Sequence, residues 1–204
     1  MIAKLYSGFL SALKAGIIDV EVSANQGLRS FNIVGLADTA VKEAKERVSV
    51  AIKSAGLKPP HQQNKKVLVN LAPADIKKTG ASYDLAIALG FILASEQAVF
   101  NPNAKIILGE LALDGTVKPI KGAFLFALLA NENGFSEIIL PKQNTSEASL
   151  ALRLRQNLKI IGVESLTQAL QYLTGQVVIT ETALNLNQSQ NQTNFEIDYG
   201  WIKG

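Results

Sequence analysis

The sequence has no cysteine and a single histidine, His61, among its 204 residues. Without cysteine the chain cannot form a disulfide, a thiolate metal site or a cysteine nucleophile. A single histidine also excludes a metal site with two histidine ligands and weakens any serine–histidine triad. Since His61 lies in the polar stretch 59–64, we expect it to be solvated. These absences predict a chain with no metal site of its own.

Charge of one sign and long apolar runs are also lacking. Twenty Lys and Arg residues against 17 Asp and Glu residues give a net charge of +3, which is compatible with nucleic-acid binding but does not indicate it. No apolar run reaches the ~18 residues that are needed to cross a bilayer. The first residues lack the apolar stretch and the cleavage site of a signal peptide. We therefore expect a cytoplasmic protein with no membrane partner.

Hydrophobic residues make up 48% of the chain, and their spacing switches repeatedly between a period of two and a helical period. The pattern predicts strands at 17–22, 30–34, 66–71, 106–108, 138–140 and 159–161. It predicts helices at 39–55, 85–93, 122–131, from about 145, and at 166–173, and Asp38 or Thr39 is expected to cap the first of them. Strands that alternate with helices indicate an α/β fold.

The composition changes near the end of the sequence. Between residues 185 and 194, seven of ten residues are Asn or Gln, and such a stretch is typical of a linker because it buries too little apolar surface to order itself. Residues 195–201 are apolar enough to pack on something. Composition alone leaves two explanations open, a terminal tail or a chain cut from a longer protein.

Residues 77–84 (KKTGASYD) are the one group that suggests chemistry, and they stand at the start of the buried helix. A helix N-terminus can hold an anion, and Lys77 and Lys78 would strengthen its positive field. A purely structural explanation is favoured by the spacing: Ser82 caps the helix and Asp84 opposes the helix dipole. The sequence has no G-x-x-x-x-G-K-[ST] phosphate loop and no G-x-G-x-x-G dinucleotide motif.

Several segments together resemble the Mg-chelatase-like AAA+ ATPase family called YifB or ComM. In chain order they are 34–44 (VGLADTAVKEA), 70–75 (NLAPAD), Lys78-x-Gly80, 83–85 (YDL) and 109–115 (GELALDG). The resemblance extends over about residues 18–175, which is most of the chain.

The resemblance implies a two-layer α+β domain of the Lon protease or ribosomal protein domain 2 type over residues 1–176, with a mixed sheet and helices packed on one side. Residues 177–204 would then be a linker and the segment that leads to an absent AAA+ ATPase module. The chain itself would need no cofactor, whereas the full-length protein would use ATP and Mg. Members of the family are similar to hexameric helicases that move DNA branches during natural transformation.

Lon-type proteases use a serine whose proton is removed by a lysine. The resemblance places Ser82 at the nucleophile position and Phe124 at the position of the lysine. Because a benzyl ring cannot accept a proton, we expect no catalytic residue in this chain. Two alternatives stay open, a degenerate or active Lon-like serine–lysine peptidase domain and a pure oligomerisation module.

The remaining use of these residues is binding. The candidate DNA or partner contacts are Lys77, Lys78, Gly80 and Ser82 in the loop and Lys42, Lys45, Arg47 and Lys53 on the first helix. Basic side chains of this kind can contact phosphates. The alternative is that they are ordinary solvated charges, since Glu43 and Glu46 stand among them.

Overall fold

A computed structural model describes residues 2–11, 14–154 and 158–183, without the side chain of Lys14. The Asn- and Gln-rich stretch and the apolar segment 195–201 lie outside the described residues.

Seven strands form one mixed sheet: β1 (Ile2–Ser11), β2 (Lys14–Gln26), β3 (Ser30–Val34), β4 (Lys65–Ala72), β5 (Lys105–Ile107), β8 (Glu137–Pro141) and β9 (Lys159–Val163). Their order across the sheet is β3-β4-β2-β1-β5-β8-β9. Strand β2 is antiparallel to both β1 and β4, whereas the pairs β3–β4, β1–β5, β5–β8 and β8–β9 are parallel. Two further strands, β6 (Glu110–Leu111) and β7 (Val117–Lys118), form a small hairpin.

Five helices complete the described part of the chain: α1 (Thr39–Ser54), α2 (Asp84–Ala94), α3 (Ala123–Glu132), α4 (Thr145–Ser149) and α5 (Leu166–Leu173). The helix predicted after Ala37 is confirmed, including its cap, because the Asp38 carboxylate accepts a hydrogen bond of 2.9 Å from the Val41 N–H. Every residue of α2 is buried, as its all-round apolar sequence predicts. Within the described ranges, no helix has the length and apolar character that a membrane span requires.

The helices are placed on both faces of the sheet. One core cluster packs α1, α2 and α5 against residues such as Leu5, Val20 and Ile139, and a second packs α3 and α4 against residues such as Ile138 and Ile160. Because neighbouring residues of a strand point to opposite faces, β8 contributes Ile138 to one cluster and Ile139 to the other. The α/β class with a mixed sheet is confirmed. The expected arrangement with all helices on one side of the sheet holds for α1, α2 and α5 only. Helices α3 and α4 cover the other face, because β5, β8 and β9 are apolar on both faces.

One strand of the sheet has no counterpart in the sequence-based predictions. Strand β1 begins at Ile2 and pairs with β2 from Ile2↔Ser23 to Ser11↔Lys14, whereas the sequence predicts no strand before residue 17. The signal that could have found it is the short alternation in which Ala3 and Leu5 are buried while Ile2, Lys4 and Tyr6 are more exposed.

Candidate functional site

A cleft of about 350 Å³ opens beside the loop that leads into α2. Its walls come from that loop, from β1, from the start of β6 and from the connection between β7 and α3. The lining residues are Leu10, Thr79, Gly80, Ala81, Ser82, Tyr83, Glu110, Pro119, Ile120, Lys121 and Phe126. The cleft therefore combines a hydroxyl (Ser82), a carboxylate (Glu110) and an ammonium group (Lys121) in an otherwise mainly apolar surface.

The backbone around Ser82 is fixed by Gly109, in the connection between β5 and β6. The Gly109 N–H donates to the Ser82 carbonyl at 2.8 Å, and the Gly109 carbonyl accepts from the Leu85 N–H at 3.0 Å. Gly80, two residues before Ser82, has φ +81°, a left-handed conformation that a side chain would strain. The turn that presents Ser82 is thus held by hydrogen bonds on one side and by a glycine on the other.

Ser82 does not cap α2, so the prediction that its side chain caps this helix is wrong. The helix begins at Asp84, and the residue at the cap position is Tyr83, whose side chain makes no capping hydrogen bond. Among the described residues the Ser82 hydroxyl has no hydrogen-bond partner, and it is half-buried in the cleft wall.

Asp84 lies in the first turn of α2, where its charge opposes the helix dipole as predicted, and it also binds Arg47. Its carboxylate accepts hydrogen bonds from Arg47 Nε at 2.7 Å and Arg47 Nη2 at 3.0 Å, and a longer one from the Leu111 N–H at 3.3 Å. Arg47 also donates to the Ala40 carbonyl at 3.1 Å. This pair joins α1, α2 and β6, and Arg47 stays partly exposed, so its contact with DNA or a partner remains a prediction.

Burial dominates the electrostatics of this pair. It raises the pKa of Asp84 to about 6, against the lowering effect of Arg47 and of the Leu111 N–H. The hydrogen bonds from Arg47 to Asp84 raise the pKa of the guanidinium, which stays charged. Asp84 is therefore a buried carboxyl group whose pKa lies close to neutral pH, and it holds two helices together.

Lys78 is not a surface cation. Its side chain is fully buried, and its ammonium group donates to the Pro73 carbonyl. Desolvation lowers the pKa of Lys78. Its backbone pairs with the segment before α1, because the Lys78 N–H donates to Leu36 and the Lys78 carbonyl accepts from Asp38. Lys78 therefore cannot contact phosphates from this position, and that prediction is wrong.

The other predicted cations are exposed. Lys42, Lys45 and Lys53 project from the outer side of α1, and Lys77 lies on the loop before α2. Lys45 Nζ is 3.9 Å from Glu46 Oε1, a long surface contact that contributes little. These four lysines stay candidate DNA or partner contacts.

Phe124 lies away from the cleft. It is half-buried against the second core cluster, and its backbone N–H donates to Glu147 at 3.2 Å. The residues of α3 and its approach that do face the cleft are Lys121 and Phe126. Gly122, between Lys121 and the helix, has φ +77°, and a Cβ there would lie 2.7 Å from Leu10 Cδ1. Ser82, which the family resemblance places at the nucleophile position, and Lys121 line the same cleft.

Over the ranges that the structure covers, no group of three or more His, Asp or Glu side chains is arranged to hold a metal ion. The sequence also lacks the glycine-rich loop and lysine of a phosphate site.

The mixed sheet, the loop with Ser82 and the cleft beside α3 define the class of the protein: it is a Lon-like α/β domain. Lon protease 2 of Bacillus subtilis (strain 168) is 27% identical to it over 195 residues, which cover 89% of this chain and 32% of that protein.

The family can be stated more narrowly. The family described as subunit ChlI of Mg-chelatase matches residues 20–144, more than half of the chain. Competence protein ComM of Haemophilus influenzae is 34% identical over 194 residues, covering 91% of this chain and 36% of ComM. YifB of Escherichia coli (strain K12) is 42% identical over 134 residues, covering 65% of this chain and 26% of YifB. The chain belongs to this Mg-chelatase-like ComM/YifB family and spans about a third of the length of its curated relatives.

Proposed function

We propose that this chain is the non-catalytic N-terminal domain of a Mg-chelatase-like AAA+ ATPase that acts as an ATP-driven DNA motor. The observation that supports the non-catalytic part is the position of Phe124, which the resemblance aligns with the lysine of Lon-type proteases and which packs against the second core cluster instead of lining the cleft. A serine without a base to remove its proton is a weak nucleophile.

Family membership supports the rest of the proposal. ComM is named a competence protein, which fits a motor that moves DNA branches when incoming DNA is integrated. ATP and Mg would be bound by a module outside this chain. The full-length protein would assemble as a hexameric cytoplasmic ring in which this domain arranges neighbouring subunits, guides DNA, or does both.

A peptidase is the second candidate because Ser82 and Lys121 line the same cleft. Lys121 is exposed to solvent and precedes α3 by two residues. A general base must come within hydrogen-bond reach of the serine hydroxyl, and that hydroxyl makes no hydrogen bond to Lys121 or to any other described residue. A pure oligomerisation module is the third candidate, and it differs in predicting no effect of the domain on DNA.

The test uses the full-length protein. We expect ATP-dependent strand displacement on a forked duplex, no labelling of Ser82 by a fluorophosphonate probe, and unchanged displacement in the Ser82→Ala variant. Lys121→Ala is the matched control, because it removes the remaining candidate base without touching the turn that holds Ser82.

Two results would contradict the proposal in different ways. Labelling that both Ser82→Ala and Lys121→Ala abolish would establish the peptidase instead. ATP hydrolysis that DNA neither stimulates nor couples to strand displacement would remove the motor role.

A further inference from the structure

Strand β3 forms one end of the sheet and, among the strands that the structure describes, pairs only with β4. Its five residues, SFNIV, include no charge and no proline, which are two of the features that protect the edges of sheets from pairing with other chains. Its outer edge therefore offers backbone N–H and C=O groups to a further strand.

Two cavities lie along this edge, between β3 and α1. The larger, about 330 Å³, includes Arg29, Phe31, Lys45 and His61 in its lining. The smaller, about 180 Å³, is formed by Phe31–Ile33 together with Lys42 and Lys45. Because they share Phe31 and Lys45, the cavities follow one another along the strand. Successive same-face side chains of an added strand would enter them in turn, since an extended chain repeats every two residues.

The cavities carry positive charge. Lys42 and Lys45 are exposed on α1, and Arg29 is exposed at the start of the groove. Glu46 is the acidic residue of the larger cavity, at 3.9 Å from Lys45 Nζ. The smaller cavity is lined by two lysines and by no acidic side chain.

We propose that the outer edge of β3 binds an extended acidic segment of a partner protein as an additional strand. Main-chain hydrogen bonds to β3 hold the segment, and its alternate carboxylate side chains enter the two cavities beside Lys42 and Lys45. Addition of a strand to an open sheet edge is an established mode of peptide recognition, with pockets for alternate side chains that give specificity. A nucleic acid would use the lysines alone and would leave the free edge of β3 unused.

The experiment measures binding of a fluorescein-labelled peptide of four Glu-Val repeats to the chain by fluorescence anisotropy. We expect saturable binding and slower amide hydrogen exchange within residues 30–34. The double variant Lys42→Glu/Lys45→Glu should bind at least about tenfold more weakly, as expected when two interfacial ion pairs become repulsive. Lys53→Glu, on the same helix but outside both cavities, should bind as the original chain does.

Two control ligands test the backbone and the charge separately. A Glu-Val peptide with every backbone nitrogen methylated keeps the side chains but has no N–H groups to donate to β3, and a Lys-Val peptide reverses the charge; neither should bind. The proposal is overturned if the peptide does not bind, if the N-methylated peptide binds equally well, or if the protected amides lie outside β3. One further result would overturn it: a dT oligonucleotide displaces the peptide, and the lysine double variant binds the oligonucleotide more weakly but binds the peptide unchanged. The groove would then be a nucleic-acid site.

Discussion

At the scale of single residues, Asp84 gives the protein a pH-dependent stability of unusual sign. Its pKa is about 6 in the folded protein and 3.8 for an exposed aspartate. The folded state therefore keeps the proton to higher pH, so the contribution of this group to stability is complete below pH 3.8 and is lost as the pH rises through 6. We expect the difference in unfolding free energy between the original chain and Asp84→Asn to fall by roughly 2–3 kcal/mol from pH 4 to 7.

The measurement is urea unfolding of both chains at half-unit pH steps. Asp114→Asn is a control of opposite sign, because the Thr116 N–H, which donates to Asp114 at 2.9 Å, lowers the pKa of that exposed carboxyl. Its contribution is present above the unfolded pKa and lost in acid. If the Asp84 difference grew with pH as well, the guanidinium and not burial would determine the titration.

For single residues, the sequence predicts where the site lies but not all of the contacts within it. Ser82 and the exposed lysines are where the loop and helix patterns place them. The contacts of Arg47 and Lys78 are not predicted, because local patterns assign charged residues to the surface. The partner of Arg47 is 37 residues away in the chain, and Lys78 is buried by a backbone pairing with the segment before α1. No periodicity in the sequence encodes either contact.

At the scale of elements, α2 approaches the sheet through a glycine. A Cβ at Gly90 would lie 2.7 Å from Val22 Cγ2 and 3.2 Å from Leu5 Cδ1. Alanine is better than glycine in a helix by about 1 kcal/mol, but both neighbours are fully buried core side chains. We expect Gly90→Ala to lower the unfolding free energy by about 1–3 kcal/mol, the usual cost of overpacking, as measured by urea denaturation.

The same substitution made in the Val22→Ala variant tests whether the contact with Val22 causes the loss of stability. Without the Val22 methyl groups the added Cβ has space, so Gly90→Ala should then be neutral or stabilising. An equal cost in both backgrounds would show that the close approach to β2 is not responsible.

Elements with a single dominant period are the ones that the sequence predicts well. The apolar stripe of α1 and the all-round apolar α2 appear within a residue or two of their predicted bounds. Strand β1 escapes prediction because glycine and serine interrupt its alternation. The placement of α3 and α4 on the second face depends on which strands pair across the sheet, and that is set by contacts distant in sequence.

At the scale of the whole molecule, the two edge strands of the sheet, β3 and β9, differ in what lies beside them. No described strand pairs with the outer edge of β3, which is flanked by lysines, whereas β9 is covered by the chain that follows α5. There the Thr182 N–H donates to the Ile160 carbonyl at 2.9 Å. Ile179 is half-buried against the first core cluster. Residues 177–183, at the start of the predicted linker, therefore contribute contacts to the folded domain.

This arrangement predicts where the chain can be shortened. Compared with a chain that ends at Ala183, a chain that ends at Gln176 should lose about 1–3 kcal/mol of unfolding free energy in urea denaturation, from one hydrogen bond and the partial burial of one isoleucine. Ile179→Ala in the original chain should reproduce part of that loss, whereas Thr182→Ala should not, because Thr182 uses its backbone. Equal stability of the two shortened chains would place the end of the domain before residue 177, as the sequence alone suggests.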